Sequence, residues 1–366
     1  MTGKQKRLNN YNEDSDTINM KEDSDLQLSI IVPVYNVEKY IRACMESIFK
    51  QGLDEKTFEV IIVNDGTQDR SMEVIQDIID QHKNITVINQ ENQGLSVARN
   101  VGMATAKGQY ILMIDPDDLL IENSIKPLLE LAIESQTDVV IADYYEMTNA
   151  NINSTIIDLP NFADIKIEKK TGEQMFFDFL RIHNYTVWRS LYRNEFLRKH
   201  KITFYPGIYC QDKPFTHEIY LKAKTCIRAS WPIYIYRRHP QGISYTMSRK
   251  YAKDYCKAIE IMWDMASNMD LSPKIRGKMF DYTFNAFTVL SSRLIHEYNS
   301  INKSTEIIEY LNSIVPHLNF KHGIKQKLYT LLFKKSPRIY ICLRYIYSYI
   351  WEDRVNPFLR HHTILK

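Results

Sequence analysis

The chain has 366 residues, enough for one large α/β domain with an appendage or for two domains. Its 44% hydrophobic and 25% charged residues are those of an ordinary globular protein, and 11 glycines against 24 tyrosines exclude collagen-like and Gly/Ser-rich low-complexity chains. The net charge of +3 conceals a segregation: residues 1–27 carry −2, residues 321–366 carry +8, and the body between them carries −3. That split points to an anionic surface near the tail rather than to nucleic acid bound through the core.

Residues 1–27 are polar, lack apolar periodicity and read as a flexible arm. No apolar signal segment opens the chain, and no apolar run reaches the roughly 18 residues of a membrane span; the longest candidate, Tyr340–Trp351, is interrupted by Arg344. Cys44, Cys210, Cys226, Cys256 and Cys342 form no C-x-x-C pair, so they read as free thiols in a reducing cytoplasm rather than as a zinc or redox site.

From Leu28 the pattern becomes regular. Leu28–Val34 is a continuous apolar run and predicts a buried strand; Val37–Gln51 repeats Ile41, Met45 and Ile48 at helical spacing. Strands are expected again at Phe58–Val63, Ile85–Ile88, Gln109–Ile114 and Asp138–Tyr144, with helices at Asp69–Gln81, Leu95–Ala106 and around Ile125–Ile133. Strands without alternation, separated by helices, predict an α/β fold with a mostly parallel sheet covered on both faces. Beyond residue 150 the regularity fades: helices are expected at Glu173–Ile182 and Arg193–His200 and a strand at Trp231–Arg237. From Lys250 the pattern is helical, punctuated by Pro273, Pro316, Pro337 and Pro357.

Ligands of an open parallel α/β sheet bind at the carboxyl ends of its strands. Here those ends carry Pro33-Val34-Tyr35-Asn36, Asn64-Asp65-Gly66, Asn89–Gly94 and Asp115-Pro116-Asp117-Asp118, so every polar cluster of the first 120 residues falls on one sheet edge. Three carboxylates in four residues repel one another unless a cation neutralises them, and a divalent ion shared with a diphosphate suits them. A turn with Asp118 as N-cap of the next helix is the other reading. No glycine spacing matches a dinucleotide or P-loop fingerprint.

Taken in order, Ile31–Asn36, Val60–Gly66, Asn92–Asn100 and Asp115–Asp118 resemble a family 2 glycosyltransferase with the GT-A fold, closely over residues 28–145 and more weakly to about 250. The resemblance implies a GT-A domain at 28–249, with a nucleotide-sugar half at 28–145 and an acceptor half at 146–249, followed by a helical, basic, aromatic-rich region at 250–366. It implies a nucleotide-diphosphate sugar donor, Mg2+ or Mn2+, and inversion at the anomeric carbon, with a glycan or lipid-linked glycan as acceptor. Pro33, Tyr35 and Asn36 would line the nucleoside pocket and Asp65 would bond the base, typically uracil. Arg99 would sit by the nucleotide, Asp115 would face ribose and sugar, and Asp117 would lead in holding the metal beside Asp115. The chain departs from the family pattern at Asn64, where Asp is usual, and at Pro116, where Ser or Ala is usual.

Inversion needs a base for the acceptor hydroxyl. The family places an acidic pair 90–100 residues beyond the metal motif; here Cys210-Gln211-Asp212 lies there, so Asp212 is expected as the base, with Gln211 replacing the usual glutamate, and a helix cap before Pro214 is the other reading. Trp188 resembles an acceptor-side tryptophan and equally suits a core. Arg237 is a candidate for binding the diphosphate or for helping to close a loop, and His239 or His217 for a third metal ligand, or for ordinary imidazoles. The basic residues of 321–366, interleaved with Tyr340, Tyr345, Tyr347, Tyr349 and Trp351, suit either a helix packed on the body or peripheral attachment to an anionic inner membrane face. A non-catalytic nucleotide-sugar binder or membrane scaffold is the alternative function; a sugar-nucleotide pyrophosphorylase would need a glycine-rich first loop that Val32–Asn36 lacks.

Overall fold

A computed structural model of the chain describes residues 26–148, 157–178, 185–238 and 249–298, with isolated positions beyond them. In chain order these are β1 (Leu28–Val34), α1 (Ile41–Ile48), β2 (Phe58–Asp65), α2 (Gln76–Gln81), β3 (Ile85–Gln90), α3 (Leu95–Thr105), β4 (Tyr110–Met113), β5 (Leu119–Leu120), α4 (Ile125–Ser135) and β6 (Val139–Thr148). Then follow β7 (Ile167–Lys170), α5 (Gly172–Asp178), β8 (Ser190–Arg193), α6 (Asn194–Lys199), α7 (Asp212–Lys222), β9 (Cys226–Arg238), α8 (Arg249–Asn268) and α9 (Pro273–Tyr298).

The nine strands make one sheet in the order β3-β2-β1-β4-β8-β6-β9-β5, with β7 also on β9. β3, β2, β1 and β4 pair in parallel. β8 then inserts antiparallel between β4 and β6, and β6 pairs in parallel with β9. The α/β architecture with a helical C-terminal region is the expected one. β8, β5 and β7 were not foreseen, because two to four residues carry too little periodicity to declare a strand; their pairing is decided by distant partners. The helix expected over Asp69–Gln81 is divided into a 3-10 turn at Glu73–Ile75 and the short α2.

β1 explains why the strands read as unbroken apolar runs. All seven of its residues are buried, and alternate side chains serve different faces. Leu28, Ile30, Val32 and Val34 join Ile41, Met45 and Ile48 of α1 and Leu128 and Leu129 of α4. Ile31 faces the opposite side, with Ala98 and Met103 of α3. There Gly102 lets α3 close onto the sheet, since a Cβ would collide with Ile31. The second core continues through Phe176, Phe196, Phe204 and Phe215 to Tyr255, Ile259 and Met262 of α8 and Met279 and Phe287 of α9. The helices after the expected boundary at 249 thus share a core with residues of the 146–249 segment. α9 opens on Pro273, where the missing N–H costs nothing, and Ser272 Oγ accepts from Ile275 N at 3.3 Å. The arm at residues 1–25 lies outside the described residues, as does the basic tail apart from isolated positions.

Candidate active site

Four loops at the carboxyl ends of β1–β4 and the start of α7 form the site. After β1, Tyr35 is 42% exposed, and Asn36 turns into the left-handed region at φ 54°, which asparagine tolerates better than most residues. Its N–H donates to Thr67 Oγ1 at 2.8 Å and its Oδ1 accepts from Gln68 N at 3.0 Å. Val37 N donates to Ser71 Oγ and Glu38 N to Asp69 Oδ2, each at 2.9 Å, so the loops after β1 and β2 are laced together beside Tyr35. Pro33 is buried within β1, opposite Val63.

At the end of β2, Asp65 is 3% exposed. Its carboxylate accepts from Gln90 Nε2 at 2.7 Å and from the N–H groups of Gln93 and Gly94 at 2.8 Å each. Three of the about four acceptor positions of a carboxylate are thereby taken by the protein. Asp65 was expected at the base; its main visible work is to fix the turn that launches α3. Gly66 has φ +67°, and a Cβ there would lie 2.9 Å from Asn92 N, so only glycine fits. Asn64 bridges Asn89 Oδ1 at 2.8 Å and Thr67 N at 3.0 Å.

α3 carries Arg99, the largest fully buried side chain of the protein's described residues. Its Nη2 meets Asp115 at 2.6 Å and its Nη1 meets Asp212 at 2.7 Å, while its guanidinium lies 5.1 Å from the centre of the Phe204 ring. Burial pulls its pKa down, but the two carboxylates outweigh that and hold it above its usual value. Asn100 brackets the same Phe204: Nδ2 donates to its carbonyl at 2.9 Å and Oδ1 accepts from its N–H at 2.8 Å. Arg99 was expected beside a nucleotide. At 1% exposure it is enclosed instead, bridging a carboxylate of the loop after β4 and one at the start of α7.

The turn after β4 is held from behind. Asp118 is 1% exposed and accepts from Tyr234 Oη at 2.9 Å and Arg237 N at 2.7 Å. It does not cap α4, which starts at Ile125. Burial, then Asp117 and Asp115, push the Asp118 pKa well up. Tyr234 Oη also accepts from Asp115 N at 3.0 Å. Arg237 Nε donates to the Asp117 carbonyl at 2.7 Å, and its guanidinium stands 5.1 Å from the centre of the Tyr40 ring. Burial raises the pKa of Asp115 to about 6, with Arg99 opposing and Asp117 and Asp212 reinforcing the rise.

No group of three or more His, Cys, Asp or Glu side chains forms a metal cage among the described residues. The donors fit a different arrangement. Asp117 is partly exposed next to a charge-crowded Asp115, and a hard cation that takes one or two carboxylate ligands and completes its shell with phosphate oxygens suits such a pair.

A model of the family described as glycosyl transferase family 2 matches residues 29–201. The chain carries a family 2 glycosyl transferase domain. It is 33% identical over 225 residues to the uncharacterized glycosyltransferase EpsJ of Bacillus subtilis, covering 59% of this chain and 62% of EpsJ. It is 27% identical over 206 residues to the poly(ribitol-phosphate) beta-glucosyltransferase of Bacillus spizizenii, covering 54% of this chain and 30% of that protein. The chain therefore spans less than two thirds of the length of these curated relatives. Among solved structures, S. aureus TarS 1-349 in complex with UDP-GlcNAc superposes with a TM-score of 0.67 at 19% identity, covering 87% of this chain and 89% of that one. That likeness establishes the GT-A fold.

Within the family 2 domain and the residues after it, the structure brings Asp115, Asp117, Arg99 and Asp212 together and places Tyr35 and Asn36 at the same edge. Trp188 is not an open acceptor surface: it is 4% exposed, stacked on Tyr234 with centroids 4.2 Å apart and edge-on to Tyr144 at 4.8 Å. Arg237 is 9% exposed and turned onto the aspartate turn rather than displayed for a diphosphate. His217 is no metal ligand. It is buried on α7 between Phe176 and Tyr282, with Nδ1 2.7 Å from the Lys213 carbonyl. His239 lies outside the described residues. Sequence reasoning gave no role to Tyr234 or Asn100, although Asn100 closes the motif Asn92–Asn100 and Tyr234 lies in the expected strand Trp231–Arg237.

Proposed function

We propose that the protein is an inverting glycosyltransferase that moves a sugar from a nucleotide diphosphate, UDP in the first instance, to a hydroxyl of a glycan or lipid-linked glycan. The observation that carries this reading is the pairing of Asp115 and Asp212 on the two arms of Arg99, at 2.6 and 2.7 Å. A residue of the donor edge and a carboxylate of the acceptor half, 113 positions from Arg99 in the chain, are held on opposite sides of one fixed cation. Relatives whose names describe a poly(ribitol-phosphate) glucosyltransferase and a poly(glycerol phosphate) polymerase support a cell-surface polymer as acceptor, and the TarS complexes with UDP and UDP-GlcNAc support a uridine donor.

Tyr35 offers its exposed ring to the base, with Pro33 and Asn36 shaping the pocket wall. Asp65 keeps one acceptor position for the base while it fixes the Gly94 turn. Asp117, with Asp115 beside it, would hold Mg2+ or Mn2+ shared with the diphosphate; a bound divalent ion would neutralise charge on the departing nucleotide. Asp212 takes the proton of the acceptor hydroxyl as its oxygen bonds to the anomeric carbon and the bond to the diphosphate oxygen breaks. Arg99 holds Asp212 in place through the 2.7 Å contact to its Nη1. Arg237, Tyr234 and Trp188 support the aspartate turn from behind.

Asp212→Asn tests the assignment: transfer should be abolished while UDP still binds by calorimetry. Near-normal turnover would overturn the base, and nucleotide binding without turnover by the unaltered protein would favour a non-catalytic binder. Hydrolysis screened across UDP-, GDP- and dTDP-sugars identifies the donor.

No described helix is long and apolar enough to cross a membrane. We propose peripheral attachment to an anionic inner leaflet through 321–366, by its +8 charge and interleaved tyrosines. Flotation with anionic liposomes should be lost on truncation at 320; equal weak binding by both forms would end the idea.

A further inference from the structure

The residue after the proposed base faces away from the active site and into the C-terminal helices. Asp212 and Lys213 open α7. Asp212 turns to Arg99 at 2.7 Å, whereas Lys213, 3% exposed, lays its Nζ 3.3 Å from the centre of the Tyr185 ring and 4.8 Å from that of Tyr255 on α8. Successive helical residues point about 100° apart, so one backbone turn is gripped from two sides. The loop leading into it is gripped as well. It begins at Gly207, with φ +79°, and continues through buried Ile208 and Cys210. It is tied to α8 through Asp254, whose Oδ2 takes the Tyr209 N–H at 3.1 Å and the Lys250 Nζ at 2.8 Å, and through a side-chain hydrogen bond between Cys210 and Tyr251. Lys250 Nζ in turn lies 4.1 Å from the centre of the exposed Tyr209 ring.

We infer that Asp254 is a positioning residue for the transfer reaction: from α8 it anchors the 207–211 loop and so sets where Asp212 stands. This rests on the reading of Asp212 as base. The acceptor of a backbone N–H is the feature that matters, because a fixed main-chain atom three residues before Asp212 leaves little slack. Removing the acceptor releases the main chain at Tyr209 and leaves the Cys210–Tyr251 side-chain bond, which does not hold that main-chain atom, so the loop can pivot at Gly207; a displacement of about 1 Å at a reacting group costs up to roughly a hundredfold in rate. The donor edge, built from the loops after β1–β4, does not touch Asp254 through any bond described above. The helical region after 249 is then part of the catalytic unit and not only an attachment.

The test uses the full-length chain with UDP and a UDP-sugar. Asp254→Ala should lower kcat about tenfold or more while donor KM and UDP affinity stay within about twofold. Asp254→Asn, which keeps an oxygen for the Tyr209 N–H, should recover most of the lost kcat. Should the alanine variant unfold, Asp254→Ser, too short to reach Tyr209 N, should reproduce the kcat loss. Unchanged kcat in Asp254→Ala, or equal loss of kcat and UDP affinity, overturns the role of Asp254 while leaving Asp212 as base. Normal turnover by Asp212→Asn in the same assay overturns the base, and with it this inference.

Discussion

Trp188 lies flat on Tyr234, 15° from parallel with ring centroids 4.2 Å apart, and the Tyr234 hydroxyl reaches forward to Asp118 at 2.9 Å. The stack transmits the rigidity of the sheet to the aspartate turn. That hydroxyl also accepts from Asp115 N at 3.0 Å, so one oxygen ties down both ends of the Asp115–Asp118 turn.

Tyr234→Phe keeps the stack and deletes that oxygen. Asp118 would be left buried with the Arg237 N–H as its remaining described donor. The variant should lose about 1–3 kcal/mol of stability and should bind UDP with Mn2+ more weakly than the unaltered protein. Urea unfolding and calorimetry check the two effects; unaltered metal-dependent binding would detach Tyr234 from the site.

Arg99→Met leaves two carboxylates facing each other across an apolar side chain. Breaking a buried pair by removing one partner costs about 3–5 kcal/mol, here from both carboxylates at once, and transfer should fall below detection. Arg99→Lys cannot reach both with a planar fork and should fold better than the methionine variant while remaining severely impaired. Unfolding curves and single-turnover assays distinguish these outcomes.

Asp117→Asn should remove the gain in UDP affinity that Mn2+ or Mg2+ gives, with little loss of stability, because Asp117 is partly exposed. Chelation should reduce the unaltered protein to the same level, and added divalent ion should restore only the unaltered protein. Nucleotide titrations with and without metal read the difference.

His217 gives the protein a pH dependence unrelated to catalysis. Burial lowers its pKa to about 4 from 6.5, the hydrogen bond to the Lys213 carbonyl opposing and the Lys213 charge reinforcing the shift. Between these values the unfolded chain binds the extra proton and the folded one does not, so stability falls as pH drops from about 6.5 to about 4. A shift of this size is worth about 3 kcal/mol. His217→Phe should flatten that slope in urea unfolding measured at pH 4.5 and pH 7.

The parallel half of the sheet and its helices were legible in the sequence because both kinds of element repeat their apolar residues at fixed intervals. The edge position of Tyr35, Asn64, Asp115 and Asp117 followed from the same regularity, since polar residues fell wherever a buried strand ended. The candidate base was legible only as a spacing, and its neighbours not at all. Arg99 read as a nucleotide ligand because its motif lies on the edge where the parallel strands end; folding turned it inward, where it meets Asp212 across 113 residues of chain.

Local sequence thus determined the family, the polar edge of the parallel sheet and the carboxylates that gather there, since each is written in a short contiguous pattern. Only the tertiary structure decided which of the charged groups are spent on one another. Arg99 on two aspartates, Arg237 on the Asp117 carbonyl, Asp65 on the α3 turn and Lys213 on two aromatic rings are pairings between distant segments. Buried charge must find a partner, and composition and spacing do not say which partner the fold will bring.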